Sequence, residues 1–355
     1  MSHLDRMRSA LAASGAPAFI VTDLANLRWL TGFTGTFGQA IVSGSAAVLI
    51  SDSRYTLQAA EQAPDFAVRT YANPVDGVDV LLEELRAAGI DRPAFDKANV
   101  TVATLQRWEA KLTGMTLGAA DDPIGRLRAV KDADEVALIR RACRLADQCM
   151  EQLLGRIRPG VTEKQLAWEI EVFFHSQGAG MAFPAIVVSG ERSARPHGVP
   201  SDKPLEAGDF VTFDFGASVE GYCSDITRTV ALGCPSDRQR EIYAEVLKAQ
   251  LAALAAIAPG ASGKAVDGVA RGSLEQAGLA QYFGHGLGHG LGALVHDAGR
   301  LSPTMDWTLE PGQVMTVEPG VYIEGLGGVR IEDDVLVTAD GCEILTRFPK
   351  ELICL

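Results

Sequence analysis

The chain has 355 residues, 47% of them hydrophobic and 22% charged, with 32 Lys plus Arg against 45 Asp plus Glu and a formal charge of -13. At roughly 100 to 200 residues per domain, that length excludes a single small module and allows two or three domains with cores of their own. The acidic balance gives no electrostatic basis for broad binding to nucleic acid or to an anionic membrane, since both attract basic surfaces.

The six cysteines are scattered and form no CxxC pair, so reduced thiols in a cytoplasm are expected rather than a disulfide scaffold. The first thirty residues mix acids with bases and lack an apolar core ending in a cleavage site, which argues against a signal peptide. The most apolar stretch, Ala40 to Ile50, is broken by Ser43, Gly44 and Ser45, so no membrane span is expected. From Ala16 to about Gly118, β-rich runs (AFIVT, AIVS, AAVLIS, AVRTYA) alternate with helical runs (VDVLLEELRAAG, VATLQRWEAKL), the pattern of an α/β domain. Thr31 to Gly38 reads as an aromatic-bearing loop. The pattern stops around Ala119 to Pro123 and restarts at Asp132-Ala-Asp-Glu135, whose Asp-x-x-Glu spacing is that of a capping box opening a long helix to about Leu154. We therefore expect domains over 1–122 and 123–355.

The second part carries an internal repeat. Ile157-Arg-Pro-Gly160 recurs as Ile257-Ala-Pro-Gly260, each ahead of a helical run, and LEAGDFVTFDFG (205–216) aligns without gaps on LEPGQVMTVEPG (309–320). Asp214 and Glu318 thus occupy equivalent places. Two long copies are too few for a solenoid and indicate one domain with internal pseudo-twofold symmetry, its equivalent strands facing each other.

In Val211 to Gly216, Val211, Phe213 and Phe215 share one face at period two, and Thr212 and Asp214 share the other. A hairpin turn centred at Val219 and Glu220 sets Asp214 opposite Asp225. Opposed Cβ atoms lie roughly 4.5 to 5.5 Å apart, where like charges repel unless a cation stands between them. The second copy adds Glu318 and Glu332, each between apolar positions. Four half-buried carboxylates either protonate or take up cations, and two divalent ions cancel their charge. Oxygen donors with one imidazole favour Mn, Co, Fe or Zn over Ca or Mg. The imidazoles come from GHGLGHGLG (284–292), where alternate glycines disfavour a helix through His285 and His289 and suit an extended strand in close backbone contact. His197 and His296 fall in the same carboxylate-bearing region.

From about Leu127 to Leu355 the chain resembles the metallopeptidase family of methionine aminopeptidase, prolidase and aminopeptidase P, because Asp214, Asp225, His289, Glu318 and Glu332 stand in the family's ligand order. That resemblance implies an α+β pita-bread catalytic domain behind an α/β, creatinase-like N-terminal domain, the latter matched by NLRWLTGFTG and ISDSRYTLQA. It further implies two divalent metal ions, Mn foremost with Co or Zn as options. Asp225 and Glu332 would bridge them, Asp214 would hold one, and His289 with Glu318 the other. His197 and His296 match active-site histidines of the proline-directed branch, Glu318 doubles as proton acceptor, and His285, Tyr322 and Arg330 match residues flanking the metals. Arg300 resembles an arginine that holds the substrate carboxylate in some prolidases, although Asp-Ala-Gly-Arg300 lacks the Pro common in relatives.

The implied activity is hydrolysis of Xaa-Pro bonds in peptides with proline second, by a prolidase or an aminopeptidase P, in a cytoplasmic homodimer. Trp29 or the Thr31 to Gly38 loop would then approach a neighbour's cleft. An Xaa-Pro bond lacks an amide hydrogen and has a fixed φ, so it calls for a dedicated pocket. The rivals are a non-catalytic scaffold of the same fold, which should have lost ligands, and methionine aminopeptidase chemistry, whose enzymes typically lack the N-terminal domain.

Overall fold

The computed structural model describes residues 1–355, which divide into two compact units, Met1–Arg128 and Ala129–Leu355. In the first unit, six strands form one mixed sheet in the order Ala67–Tyr71, Ala47–Asp52, Gln39–Ser43, Ala18–Val21, Pro93–Asp96, Gly118–Ala120. Continuous apolar runs such as Ala18-Phe-Ile-Val21 arise because both faces are covered. Phe19 and Val21 pack with Met7, Leu11, Leu27 and Leu30 on one side, while Ala18 and Ile20 pack with Val78, Leu81, Leu85 and Trp108 on the other. The short helices His3–Ser14, Leu24–Thr31 and Thr56–Gln62 lie outside the runs legible in the sequence. Thr31 closes the second of these, and Gly32 caps it with φ of 80°, so the loop proper starts one residue later than the glycine pattern indicated.

In the second unit, the helix Ala133–Leu154 opens with the capping box read from the sequence. The Asp132 carboxylate accepts from the Asp134 and Glu135 N–H groups, and Glu135 accepts from the Asp132 N–H. The repeat is visible in the backbone. Helices Glu163–Ser176 and Gly263–Gln276 follow equivalent turns, in which Gly160 N–H donates to Leu205 O at 2.9 Å and Gly260 N–H to Leu309 O at 2.8 Å. Each half places its helices on an antiparallel sheet. One sheet orders Ile226–Ala231, Phe210–Phe215 and Ile186–Ser189; the other orders Asp297–Leu301, Gly288–Gly290, Val314–Val317, Asp333–Val337 and Cys342–Ile344. Val211, Phe213 and Phe215 are buried against Met150, Leu166, Ile170 and Phe174, which leaves Thr212 and Asp214 on the opposite face. The second half repeats this with Met315 and Val317 against Val266, Ala270 and Leu274. The halves join where Glu332 N–H donates to Thr227 O at 3.1 Å. No helix is long and apolar enough to cross a membrane.

Candidate metal centre

Asp214 stands near the end of the strand Phe210–Phe215, and its cross-strand partner is Thr227, not Asp225. The hairpin turn falls at Glu220-Gly221, with Val219 paired to Tyr222, one residue beyond the centre expected from the sequence. Glu220 (φ 47°) and Gly221 (φ 76°) both adopt the left-handed region, as the two-residue hairpins that match strand twist require. Asp225 instead lies just before the strand Ile226–Ala231 and reaches the site from a local close approach. A Cβ on Gly216 would come within 1.8 Å of Ser224 O, so only glycine lets the chain pass there.

The glycine-rich stretch acts in the same manner. Gly288–Gly290 is an extended strand, and a Cβ at Gly288 or Gly290 would meet Thr316 O at 2.0 Å or Ala298 O at 1.9 Å. His289 is thereby held deep between two neighbouring strands. Glu318 directly follows the strand Val314–Val317, and Glu332 sits between Gly327–Arg330 and Asp333–Val337.

Ligand atoms of Asp225, His289 and Glu332 all lie within 4.8 Å of one another. His289 Nε2 is 3.4 Å from Glu318 Oε1 and 3.8 Å from Asp225 Oδ2. His289 Nδ1 contacts Gly290 O at 3.1 Å, an acceptor only, so Nδ1 carries the hydrogen and Nε2 offers its lone pair to the carboxylates. Burial lowers the His289 pKa to about 4 and keeps the ring neutral. Burial, reinforced by the neighbouring carboxylates, raises Asp225 and Glu332 well above the ordinary range and pushes Glu318 up to about 8. Asp214 Oδ1 and Asp225 Oδ1 are buried with no hydrogen-bond partner.

Buried carboxylates with orphaned oxygens facing an imidazole lone pair are a donor set for hard or borderline divalent cations, and the residues present fit such ions.

A cavity of about 370 Å³ is lined by all five of these side chains together with His197, His285, His296, Arg300 and Arg330. Tyr322 stands behind it, where its hydroxyl accepts from Arg330 Nη1 at 2.8 Å and donates to His285 Nε2 at 2.9 Å. That direction follows from His285 Nδ1, which gives its hydrogen to Gly286 O, and burial lowers the His285 pKa to about 4. Arg330 Nη2 also pairs with Asp214 Oδ2. The His296 ring meets His289 edge-on, with centroids 4.4 Å apart.

The structure adds residues that the sequence reading passed over. Thr227 Oγ1 donates to Glu332 Oε2 at 2.6 Å and accepts from Arg330 Nε at 3.0 Å. Thr316 Oγ1 donates to Glu318 Oε1 and accepts the His289 N–H. Asp334 Oδ2 accepts the Asp225 N–H at 2.8 Å. Thr316 was findable, because it shares the alternate face with Glu318 as Thr212 does with Asp214. Phe183, Ile186 and Val295 give the cavity an apolar wall.

Comparison with known proteins matches residues 137–339 to metallopeptidase family M24 and residues 3–130 to the creatinase/prolidase N-terminal domain. An Xaa-Pro dipeptidase of Pyrococcus furiosus is 37% identical over 317 residues, 87% of this chain and 89% of that protein. The solved Xaa-Pro dipeptidase from Bacillus anthracis superposes with a TM-score of 0.96 at 40% identity, covering 99% of both chains. The X-Pro aminopeptidase from Thermotoga maritima does so at 0.92 and 38%, covering 100% of both. The chain therefore belongs to the M24 metallopeptidases, in the prolidase and Xaa-Pro aminopeptidase branch that joins a creatinase-like N-terminal domain to a pita-bread catalytic domain.

Proposed function

We propose that the protein is a dinuclear metallo-exopeptidase hydrolysing Xaa-Pro bonds, with Xaa-Pro dipeptides as its substrates. The convergence of Asp214, Asp225, His289, Glu318 and Glu332 on one cavity, with two carboxylate oxygens lacking any partner, carries this reading. Asp225 and Glu332 would be shared between two ions, Asp214 would hold one, and His289 with Glu318 the other. Manganese is the favoured ion, with cobalt or zinc as alternatives suited to the same donors. When bound, such a pair polarises the scissile carbonyl and makes water acidic enough to yield a nucleophile near neutral pH.

The remaining work belongs to the chain. Glu318, which lines the cavity beside His289, would take the proton given up by the attacking water and deliver it to the departing proline nitrogen. His197 and His296 line the same cavity and donate hydrogen bonds to the oxygen that gains charge. His285, Tyr322 and Arg330 form a hydrogen-bonded chain that fixes Asp214 and orders the cavity floor. Phe183, Ile186 and Val295 exclude water around the apolar parts of the substrate.

Arg300 supports the dipeptide preference. It pairs directly with His289 across two strands, and its Nη1 is anchored on Asp297 O and Gly299 O, both at 2.6 Å. A guanidinium so held at the cavity wall suits the free carboxylate of a two-residue substrate. The same reading places the protein in the cytoplasm as a homodimer. All six cysteines are free, in keeping with a reducing compartment, and light scattering tests the dimer.

The deciding assay compares turnover of Ala-Pro, Ala-Pro-Ala and Met-Ala-Ser by metal-loaded protein. Cleavage of Ala-Pro well ahead of the tripeptides is expected. Preference for Ala-Pro-Ala would make it an aminopeptidase, and preference for Met-Ala-Ser would overturn the proline assignment.

A further inference from the structure

His197 is exposed on the loop that links the strand Ile186–Ser189 to Pro204, so its place at the cavity depends on the path of that loop. The loop closes on one side chain. Glu163, the first residue of the helix Glu163–Ser176, is wholly buried. Its Oε1 accepts from the Ser189 N–H at 2.8 Å and the Ser189 hydroxyl at 3.0 Å. Its Oε2 accepts from the Ser201 N–H at 2.9 Å and the Ser201 hydroxyl at 2.6 Å. Arg192 Nε donates to both oxygens, at 3.2 and 3.0 Å, and Arg192 Nη2 donates to Val199 O at 2.7 Å. One carboxylate thus ties both feet of the loop and, through Arg192, its interior. The residue beside His197 is held as well, because Pro196 O accepts from Arg330 Nη1 at 3.3 Å.

The internal repeat shows that this tie is not demanded by the architecture. The equivalent of Glu163 in the second half is Gly263. Both lie one residue after the helix cap, with Thr162 bridged to Pro204 and Ser262 to Thr308, and their N–H groups donate to the equivalent carbonyls of Lys203 and Trp307. A Cβ at Gly263 would sit 2.2 Å from Arg300 O, so there the backbone packs directly and no carboxylate is used. The same helix start serves two halves: in the second, the segment that carries His296 packs its backbone directly on Gly263, and in the first a buried carboxylate spans the loop that carries His197.

We infer that Glu163 is a positioning residue for His197, a buried tie across the feet of the His197 loop that sets where the imidazole stands at the reacting carbonyl. The inference rests on the role given to His197 above. A misplacement of about 1 Å costs on the order of 100-fold in rate when a group must meet the transition state.

The test is a double-mutant cycle in metal-loaded protein, with kcat and KM for Ala-Pro measured for Glu163→Gln, His197→Ala and the pair. Glu163→Gln keeps the size of the side chain but turns one acceptor into a donor facing other donors. It is expected to lower kcat by about 10- to 100-fold with KM changed by no more than about twofold, and to have no effect beyond about twofold in the His197→Ala background. Equal losses in both backgrounds would overturn the inference and make Glu163 a general support of the fold. Wild-type turnover by His197→Ala would remove the role of His197 itself, and the positioning role with it. Ser201→Ala deletes a single hydroxyl from the tie and leaves the carboxylate in place. It gives the same cycle if Glu163→Gln does not fold, with a loss of about threefold expected only when His197 is present.

Discussion

Thr227→Val tests whether the metal donors are held in position by their hydrogen-bonded surroundings. The two side chains have nearly the same shape, and Thr227 is completely buried, so the change removes a hydroxyl without opening a cavity. What disappears is the 2.6 Å bond to Glu332 Oε2 and the acceptor for Arg330 Nε at 3.0 Å. A hydrogen bond to a charged group contributes about 1.5–3 kcal/mol. At about 1.4 kcal/mol per tenfold, its loss corresponds to roughly 10- to 150-fold in affinity. Measured losses of second-layer partners of metal ligands, about 10- to 100-fold, fall in the same window. The assay is competition between apo-protein and a fluorescent chelator for manganese, with circular dichroism to establish that the variant is folded. A folded Thr227→Val protein that binds manganese within about twofold of wild type would refute the claim that this bond orients Glu332.

Three further outcomes follow from the same geometry. Burial and mutual repulsion raise Asp225, Glu332 and Glu318, so the metal-free fold binds protons more tightly than the unfolded chain. Its stability is greatest below the ordinary carboxylate value of 4.5 and falls as pH rises toward about 8, while bound ions replace those protons. The melting temperature of chelator-treated protein should therefore drop between pH 5 and pH 8 more steeply than that of loaded protein, and parallel curves would contradict this. Gly290→Ala places a methyl 1.9 Å from Ala298 O; the strands must part, with a loss of about 1–3 kcal/mol in denaturant unfolding and weakened metal binding through His289, whereas wild-type behaviour in both would contradict the close approach. Arg300→Ala is expected to raise KM for Ala-Pro about tenfold or more while leaving N-blocked controls inert, and an unchanged KM would take the substrate carboxylate away from Arg300.

Much of this was legible in the chain because its signals are local or repeated. The alternation of Val211, Phe213 and Phe215 against Thr212 and Asp214 survives as a buried and a site-facing side of one strand. The two copies of Leu-Glu-x-Gly lie at equivalent turns, and the alternate glycines of 284–292 mark backbone contact as their lack of side chains indicated. Register was harder. Whether the hairpin turned at Val219-Glu220 or Glu220-Gly221 depends on which residues tolerate positive φ, and the Gly at 221 was the cue for the later turn. The buried carboxylates that tie down the segments bearing the site's side chains were least visible. Asp334 and Glu163 act across 109 and at least 26 positions of sequence, and nothing in periodicity marks a buried carboxylate that accepts from distant backbone.

The central claim is that five side chains from the two halves of the repeat enclose a pair of metal ions. Crystals of the protein soaked in manganese and measured at the manganese absorption edge test it directly. Two anomalous peaks are expected within coordination distance of Asp214, Asp225, His289, Glu318 and Glu332, with Asp225 and Glu332 touching both. A single peak, or peaks only elsewhere on the molecule, would contradict the account.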